Sequence, residues 1–365
     1  MKINSYQEAV LAFGNYHPDL PIVDQDESEF MVVPLSGGLI NQTFKVSSPL
    51  ASSFLLQRIN HHVFTKPEDV QQNYRHIWEY AEYEFTGLNL PAPEYFNKTK
   101  SLFVDSKGNY WRAFEFIDDA RMLTIAENPA QAKATAKAFA KFTAAFEEFN
   151  TDQLKIVIPD FHNLGFRYRQ FEDAVHGEFY ERMPKSLPLI EELKKRERYK
   201  HFYETIADSP DAFPKRVMHH DAKIANVLFS KKTGKPICLV DFDTVMPGYF
   251  FSDIGDIIRS MACSHDENSI AFDKLKIRKS YYEAILVGYL STMKKYFTDA
   301  EMKHIHYAGL MMIYMQALRF LTDYLNGDIY YLITNPEQNF DRAKNQLTLL
   351  QSLEEFLKIN YNLAV

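Results

Sequence analysis

The feature that most constrains the fold is a change of hydrophobic pattern near residue 118. Before it, short β-rich runs alternate with turn residues; after it, apolar residues recur with helical spacing. One region of strand character, at residues 227–240, interrupts the helical part. A chain of 365 residues is long enough for two cores. The pattern therefore predicts an α+β fold with two domains, residues 1–117 and residues 118–365.

The first domain is predicted to contain a five-stranded sheet and one helix. That helix begins after Lys66, because Pro67 suits a first helical turn. The predicted strands are residues 30–35, 43–46, 54–59, 102–104 and 111–117. The larger second domain is predicted to be mainly helical, with helices at residues 130–149, 166–180, 188–206, 270–297, 300–325 and 339–357.

Composition narrows the class of protein. The chain has 46% apolar residues and a net charge of −7, which is typical of a globular protein and argues against a nucleic-acid partner. Its two cysteines, Cys238 and Cys263, are expected to be buried thiols, and sparse cysteine usage fits a reducing compartment. The sequence shows no signal-peptide pattern and no apolar run of about 18 residues. We therefore expect a cytoplasmic monomer or homodimer without a membrane partner.

A segment in the second domain carries residues suited to phosphoryl transfer. It contains His219-x-Asp221-x-x-x-x-Asn226, then two strand-like runs joined by a turn, and then Asp241. Phosphoryl transfer needs a carboxylate directed at the acceptor hydroxyl and oxygen ligands that hold magnesium against the phosphates. Each residue alone fits an ordinary turn. A zinc cluster of His219, His220 and Asp221 would need a further ligand that the sequence does not reveal. The joint pattern favours phosphoryl transfer.

This segment resembles the catalytic loop and metal-binding Asp of protein-kinase-like enzymes, and more closely those of the aminoglycoside phosphotransferase and choline kinase superfamily. The resemblance implies a protein-kinase-like two-lobe fold and a small-molecule kinase that uses ATP and Mg²⁺. It implies that Asp221 is the catalytic base and that Lys223 neutralises charge on the transferred phosphate. Asn226 and Asp241 would be the magnesium ligands, and His219 would brace the loop.

The same resemblance implies a nucleotide site in the first domain. Gly37 and Gly38 can cover phosphates because glycine permits a close backbone approach, although the pair also fits a plain hairpin turn. Asn41 matches the superfamily on the returning strand. Arg58 stands where protein kinases carry lysine, and a guanidinium suits the α- and β-phosphates. Its acidic partner is open between Glu68, Glu79 and Glu84.

The end of the fifth strand is expected to form the hinge of the nucleotide site. Residues 114–118 read Phe-Glu-Phe-Ile-Asp. By the resemblance, backbone groups of Glu115 and Ile117 would pair with the edge of a purine. The sequence alone does not establish that pairing.

Other stretches resemble one branch of the superfamily, the anomeric sugar kinases similar to N-acetylhexosamine 1-kinase. They are residues 55–60 with 63–64, 241–248, 255–259 and 319–328. The resemblance implies a sugar acceptor, N-acetylglucosamine or N-acetylgalactosamine first, with Asp243, Arg319 and Tyr330 in acceptor binding. In an otherwise apolar helix, Arg319 would repel a polycation and could donate to sugar hydroxyls. A salt bridge from Arg319 to Asp323 fits equally well.

Two alternatives stay open. Asp243, Asp253 and Asp256 supply acid for a cationic acceptor, so a kinase for an amino alcohol, a methylthio-sugar or an aminoglycoside is the first. The second is a pseudokinase-like module that binds nucleotide without turnover, which the intact set of Asp and Asn residues argues against. His220 stands where the superfamily often has small residues, and its ring is expected to narrow the approach to the neighbouring Asp221.

Overall fold

The computed structural model describes residues 3–16, 31–35, 40–47, 52–84, 86–96, 99–177 and 180–363. The strands are β1 (Met31–Pro34), β2 (Gln42–Ser47), β3 (Phe54–Ile59), β4 (Leu102–Val104), β5 (Tyr110–Glu115), β6 (Ala120–Met122), β7 (Arg216–Met218), β8 (Val227–Ser230), β9 (Pro236–Leu239) and β10 (Met246–Gly248). The helices are α1 (Ile3–Tyr16), α2 (Pro67–Tyr83), α3 (Pro129–Ala145), α4 (Leu164–Val175), α5 (Met183–Lys194), α6 (Arg198–Ala207), α7 (Phe251–Met261), α8 (Lys279–Met293), α9 (Asp299–Lys303), α10 (Tyr307–Leu325) and α11 (Gln338–Tyr361).

The chain forms two compact units. The first comprises residues 1–121, 152–158 and 228–245, and the second comprises residues 122–151, 159–227 and 246–365. The first unit contains a five-stranded antiparallel sheet in the order β1-β2-β3-β5-β4, which confirms the predicted sheet. A smaller three-stranded sheet has the order β6-β8-β9.

The five-stranded sheet is covered by a helix on each face. On one face Phe54 of β3 packs against Phe13 of α1, with ring centroids 5.3 Å apart. On the other face Phe114 of β5 contacts Tyr74 of α2 at 5.0 Å. The prediction of one helix in this part of the chain was incomplete, because α1 also packs on the sheet. The hydroxyl of Tyr16, at the end of α1, donates to the carbonyl of Trp111 at 2.7 Å.

The second unit is mainly helical, as predicted. The predicted helices at 188–206 and 300–325 are each divided by a turn, into α5 and α6 and into α9 and α10. Helix α7 was not predicted. It packs against α10 at Gly255, where a Cβ atom would collide with the carbonyl oxygen of Ala308. Within the described ranges, no helix combines the length and the apolar character that crossing a membrane requires.

Candidate active site

The predicted catalytic loop connects β7 to β8, and its first residues are hydrogen-bonded to α7. Strand β7 is buried and pairs with β10, so that Met218 lies opposite Met246. The backbone N–H groups of His219 and His220 then donate to the two carboxylate oxygens of Asp253, at 3.0 and 2.8 Å. Asp253 lies in the first turn of α7 and is fully buried. The loop is thereby anchored immediately before Asp221.

The acids of α7 are buried close to the loop. Burial raises the pKa of Asp253 to about 7, although the N–H groups of His219 and His220 act in the opposite direction. Burial also raises the pKa of Asp256, which accepts from Arg259 at 2.7 Å. Arg259 in turn donates to Glu267 at 2.7 Å. Both acids therefore already have protein donors.

Asp221, Lys223 and Asn226 of the predicted catalytic loop lie together. The Nζ atom of Lys223 and the Nδ2 atom of Asn226 each donate to Oδ2 of Asp221 at 2.8 Å. Burial acts to raise the pKa of Asp221, but the Lys223 ammonium and the Asn226 amide outweigh it, so that the pKa lies below its ordinary value. The Asp221 side chain is 30% exposed. It is thus an accessible carboxylate at neutral pH, the state that a base needs.

Asp241 and Asp243 follow β9 in the first unit. Asp241 is exposed and adopts a left-handed backbone conformation, φ 67° and ψ 60°. Asp243 is buried, accepts from Nδ2 of Asn41 at 2.6 Å and forms an ion pair with Arg112. Arg112 also donates to Oε1 of Gln57 at 2.9 Å. Acceptor binding by Asp243 stays a prediction, and its geometry favours a structural role, fixing the turn that carries Asp241.

Arg58 lies on the opposite face of β3 from Gln57. Its guanidinium pairs with Glu8 of α1 at 2.9 Å and lies 5.9 Å from the ring of Trp111. The partner is thus an acid of α1, not one of the candidates Glu68, Glu79 and Glu84. A contact between Arg58 and phosphate stays a prediction. Arg112 lies on the opposite face of the sheet, where it contacts Gln57 and Asp243. The sequence signal for Arg112 was a charge between apolar residues inside β5.

The structure says less about the other residues that were predicted to bind nucleotide. Gly37 and Gly38 lie outside the described residues. Strand β5 ends at Glu115, whose N–H donates to the carbonyl of Ala92 at 2.9 Å, and Ile117 follows the strand. The hinge role of Glu115 and Ile117 therefore stays a prediction.

Arg319 and Tyr330 lie together in the second unit. The guanidinium of Arg319 lies 5.2 Å from the ring of Phe161 and 5.5 Å from the rings of Tyr330 and Tyr331. It donates to Gln316 at 3.2 Å. The alternative salt bridge to Asp323 does not form, because that carboxylate accepts the backbone N–H groups of Tyr330 and Tyr331 at 2.8 and 2.9 Å.

The aromatic contacts around Arg319 extend through neighbouring rings to His220, the residue before Asp221. Phe161 stacks on His162 at 4.5 Å, and His162 contacts His220 at 4.9 Å. We call Phe161, His162, His220, Tyr330 and Tyr331 the ring cluster. No sequence pattern pointed to Phe161 or His162, because their contacts with Arg319 and His220 join residues far apart in the sequence.

A second arginine lies near Arg319. Arg167 donates to the carbonyl of Phe161 at 3.3 Å and to Gln170 at 2.8 Å. Burial and then the charge of Arg319 lower the pKa of Arg167 to about 10. Neither arginine forms an ion pair with a carboxylate of the described residues. Two guanidinium groups in this position favour an electron-rich ligand.

The predicted magnesium ligands supply oxygen atoms. The amide nitrogen of Asn226 is held by Asp221, while its Oδ1 accepts no hydrogen bond from the part of the chain that the structure describes. No group of three or more His, Cys, Asp or Glu side chains there could hold a metal ion by itself. One amide and one carboxylate oxygen suit Mg²⁺, which completes its coordination with phosphates and water. The donor set therefore fits magnesium.

Comparison with known proteins adds the family. The model of the phosphotransferase enzyme family (APH) matches residues 32–296, more than half of the chain. The chain belongs to this family. The match includes Asp221, Asn226 and Asp241, and it confirms the predicted enzyme class, a small-molecule phosphotransferase.

Solved structures confirm the fold of this phosphotransferase. A microcompartment-associated aminopropanol kinase is 15% identical, with a TM-score of 0.63, and 96% of this chain and 98% of that chain are covered. An ethanolamine kinase of Plasmodium vivax is 15% identical, with a TM-score of 0.59 and coverage of 94% and 90%. A choline kinase from Cryptosporidium parvum Iowa II is 16% identical, with a TM-score of 0.54 and coverage of 98% and 97%. These similarities support the predicted protein-kinase-like α+β fold.

Proposed function

We propose that this phosphotransferase transfers the γ-phosphoryl group of ATP to a neutral sugar, with the anomeric hydroxyl of an N-acetylhexosamine as the first candidate acceptor. The observation that carries the proposal is the pair Arg167 and Arg319 beside the ring cluster, without a carboxylate partner in the described ranges. Guanidinium groups donate to hydroxyl and acetamide oxygens and repel ammonium groups. This arrangement supports a neutral, oxygen-rich acceptor.

The acidic side chains that could have bound a cationic acceptor already interact with other groups of the protein. Asp243 pairs with Arg112 and Asp256 pairs with Arg259. Asp253 accepts two backbone N–H groups of the catalytic loop. The ring faces near Arg319 are likewise occupied by its own guanidinium, so they do not form an empty cage for a quaternary ammonium.

The proposed reaction uses the residues of the loop between β7 and β8. The acceptor hydroxyl oxygen attacks the γ-phosphorus while its proton passes to the carboxylate of Asp221. The bond from the γ-phosphorus to the β,γ-bridging oxygen breaks, and ADP leaves with that electron pair. Lys223 neutralises charge on the transferred phosphoryl group. Asn226 and Asp241 would hold magnesium, which when bound neutralises phosphate charge.

A second candidate function is phosphorylation of an amino alcohol. It is favoured by the fold similarity to kinases of aminopropanol, ethanolamine and choline. It requires an acid or an open aromatic face for the ammonium group. The engaged acids and the two arginines make it the weaker candidate.

An acceptor screen tests the proposal. The purified protein is incubated with ATP and Mg²⁺ and with N-acetylhexosamines, hexoses, choline, ethanolamine or aminoglycosides. ADP release is measured and products are identified by ³¹P NMR. We expect a sugar 1-phosphate. Transfer only to amino alcohols or aminoglycosides would contradict the sugar acceptor and leave the second candidate.

The variant Asp221→Ala tests whether Asp221 acts as the base in the transfer step. Removing a positioned base lowers rates by about 10²–10⁴-fold, and we expect a loss of this size in kcat. Nucleotide affinity, measured by calorimetry, should stay near that of the wild type because Asp221 is assigned to the acceptor. Turnover equal to that of the wild type would remove Asp221 from the mechanism.

A further inference from the structure

One face of α10 is joined to the segment that follows it. Gln316, Arg319 and Asp323 are spaced three and four residues apart, so their side chains leave the helix on the same side. Their partners are Tyr330 and Tyr331, in the segment of residues 326–337 between α10 and α11. All of these residues belong to the second unit, so one compact unit contains the whole arrangement.

Asp323 fixes the backbone of this segment. Its buried carboxylate accepts the N–H of Tyr330 at 2.8 Å on Oδ1 and the N–H of Tyr331 at 2.9 Å on Oδ2. Oδ2 also accepts from Nδ2 of Asn339, in the first turn of α11, at 2.8 Å. A carboxylate only accepts hydrogen bonds, so both of its oxygens suit these three donors. Two consecutive N–H groups are therefore held at one buried point.

The hydroxyl groups of the two tyrosines reach Gln316 and Arg319. Nε2 of Gln316 donates to the hydroxyl oxygen of Tyr331 at 3.1 Å, and Oε1 of Gln316 accepts from Nη1 of Arg319 at 3.2 Å. Nη2 of Arg319 donates to the hydroxyl oxygen of Tyr330 at 3.4 Å. The guanidinium is thus oriented by groups whose own position depends on Asp323, although that carboxylate faces the backbone N–H groups instead of the guanidinium.

Polar contacts hold this segment more than hydrophobic burial does. The side chains of Ile329 and Leu332 are 80% and 89% exposed, so they contribute little to the core. Tyr331 packs on one ring of α10 at 4.8 Å. The N–H of Asp328 donates to the carbonyl of Asp323 at 2.8 Å, which adds a further polar contact. Loss of the Asp323 carboxylate would therefore release the main chain that carries the two tyrosines.

We propose that Asp323 is a positioning residue of the acceptor site, which binds the N–H groups of Tyr330 and Tyr331 and thereby orients Arg319 to donate to oxygen atoms of the acceptor. The inference rests on the proposed function, in which Arg319 binds the acceptor. Asp323 is buried and acts through the tyrosines, so it does not touch the acceptor itself. Its loss should weaken acceptor binding and leave the transfer step in place, because Asp221 belongs to a different loop.

Kinetics of Asp323→Asn test the proposal. Asparagine has nearly the same shape, but its NH₂ group cannot accept, so one of the two tyrosine N–H groups loses its partner. We expect the KM for the acceptor to rise about tenfold, the effect of one lost hydrogen bond to a charged group, with kcat and the KM for ATP near those of the wild type. An unchanged acceptor KM in the folded variant would overturn the proposal. Equal rises in both KM values, which a purely structural role predicts, would also overturn it.

Asp105→Asn is the matched control. Asp105 also accepts two backbone N–H groups, those of Lys107 at 2.8 Å and Asn109 at 2.9 Å, in the turn between β4 and β5 of the first unit. The substitution makes the same chemical change away from the residues assigned to the acceptor, so the acceptor KM should equal that of the wild type. A rise as large as that of Asp323→Asn would count against a specific role of Asp323.

A double-mutant cycle tests whether Asp323 acts through Arg319. Arg319→Gln removes the guanidinium, so adding Asp323→Asn to it should raise the acceptor KM little further. Independent effects would multiply the two rises in KM and would overturn the proposal.

Amide hydrogen exchange tests the positioning without any acceptor. The N–H groups of Tyr330 and Tyr331 should exchange slowly in the wild type and in Asp105→Asn, because they are hydrogen-bonded to a buried carboxylate. They should exchange about tenfold faster in Asp323→Asn, where one acceptor is lost. Equal exchange rates in the three proteins would overturn the proposal.

The acceptor screen and the double-mutant cycle separate the two proposals. Transfer only to amino alcohols would contradict the proposed function, whereas the cycle measured with that amino alcohol would still decide whether Asp323 acts through Arg319. A sugar acceptor together with independent effects in the cycle would support the proposed function and overturn the role of Asp323.

Discussion

Asp253 holds the backbone of the predicted catalytic loop, although it is not one of the residues predicted to react. Its two oxygens accept the N–H groups of His219 and His220, two consecutive residues that come directly before Asp221. The left-handed backbone of His220 lets neighbouring N–H groups converge on one anion, the arrangement of an anion nest. The energetic cost of burying this carboxylate is the reason that its pKa is raised to about 7.

The raised pKa of Asp253 predicts a pH-dependent stability. Its pKa is about 3.9 in an unfolded chain and about 7 in the folded protein, so the folded state binds the proton more tightly. The resulting contribution to stability is complete below pH 4 and is lost as the pH rises through 7. The free energy of unfolding, measured with urea at pH 5 and pH 7.5, should therefore fall more for the wild type than for Asp253→Asn, which cannot titrate there. Parallel losses would contradict the assignment.

At the scale of elements, a buried ion pair joins β5 to the turn after β9. Arg112 and Asp243 are each 4% exposed. Oε1 of Gln57 accepts hydrogen bonds from Nε and Nη2 of Arg112, and Nδ2 of Asn41 donates to Oδ2 of Asp243. A buried pair satisfied in this way resists the loss of either partner, because the other charge is then buried alone.

Breaking this pair should destabilise the protein strongly. We expect Arg112→Met to lower the free energy of unfolding by about 3–5 kcal/mol, since Asp243 is left uncompensated. Asp118→Asn removes an exposed pair with Lys45, whose partners are 28% and 68% exposed, and should cost about 0–1 kcal/mol. Urea unfolding without nucleotide measures both. Similar losses in the two variants would show that the buried pair has no special role.

The elements that sequence patterns predicted well are those with local signals. Strands β2, β3 and β4 have alternating or apolar runs between turn residues, and Pro67 marked the start of α2. Helix α7 was missed because no side chain caps its N-terminus and its acids are buried instead of facing solvent. The turns that divide α5 from α6 and α9 from α10 contain no proline or glycine, so the helical pattern continues through them.

At the scale of the whole molecule, some contacts of the candidate site join residues close in sequence and others join residues far apart. Asp221, Lys223 and Asn226 share one loop, so their contacts are local in sequence and their motif can be recognised from spacing alone. The contact between His162 and His220 spans 58 residues, and that between Arg112 and Asp243 spans 131, so no local pattern reveals them. The predicted domain boundary after residue 117 and the roles of the nucleotide residues stay predictions.

Magnesium and nucleotide together should stabilise the whole chain. A ligand that binds only the folded state at 100 times its Kd adds about 2.7 kcal/mol to stability. With a non-hydrolysable ATP analogue, we expect the thermal midpoint to rise in Mg²⁺ and to rise much less with a chelator, because the proposed function uses Asn226 and Asp241 as magnesium ligands.

The variant Asp241→Asn isolates the metal contribution. Asparagine tolerates the left-handed backbone at this position and the side chain is exposed, so the free protein should keep its stability. The magnesium-dependent part of the shift in thermal midpoint should then be lost, because a carboxylate charge near the metal is replaced by a neutral amide. Asp211→Asn, which changes an exposed acid outside the residues predicted to bind nucleotide or metal, should keep the full shift. If Asp241→Asn also kept it, the metal would have to be held by other groups, and the assignment of Asp241 would fail.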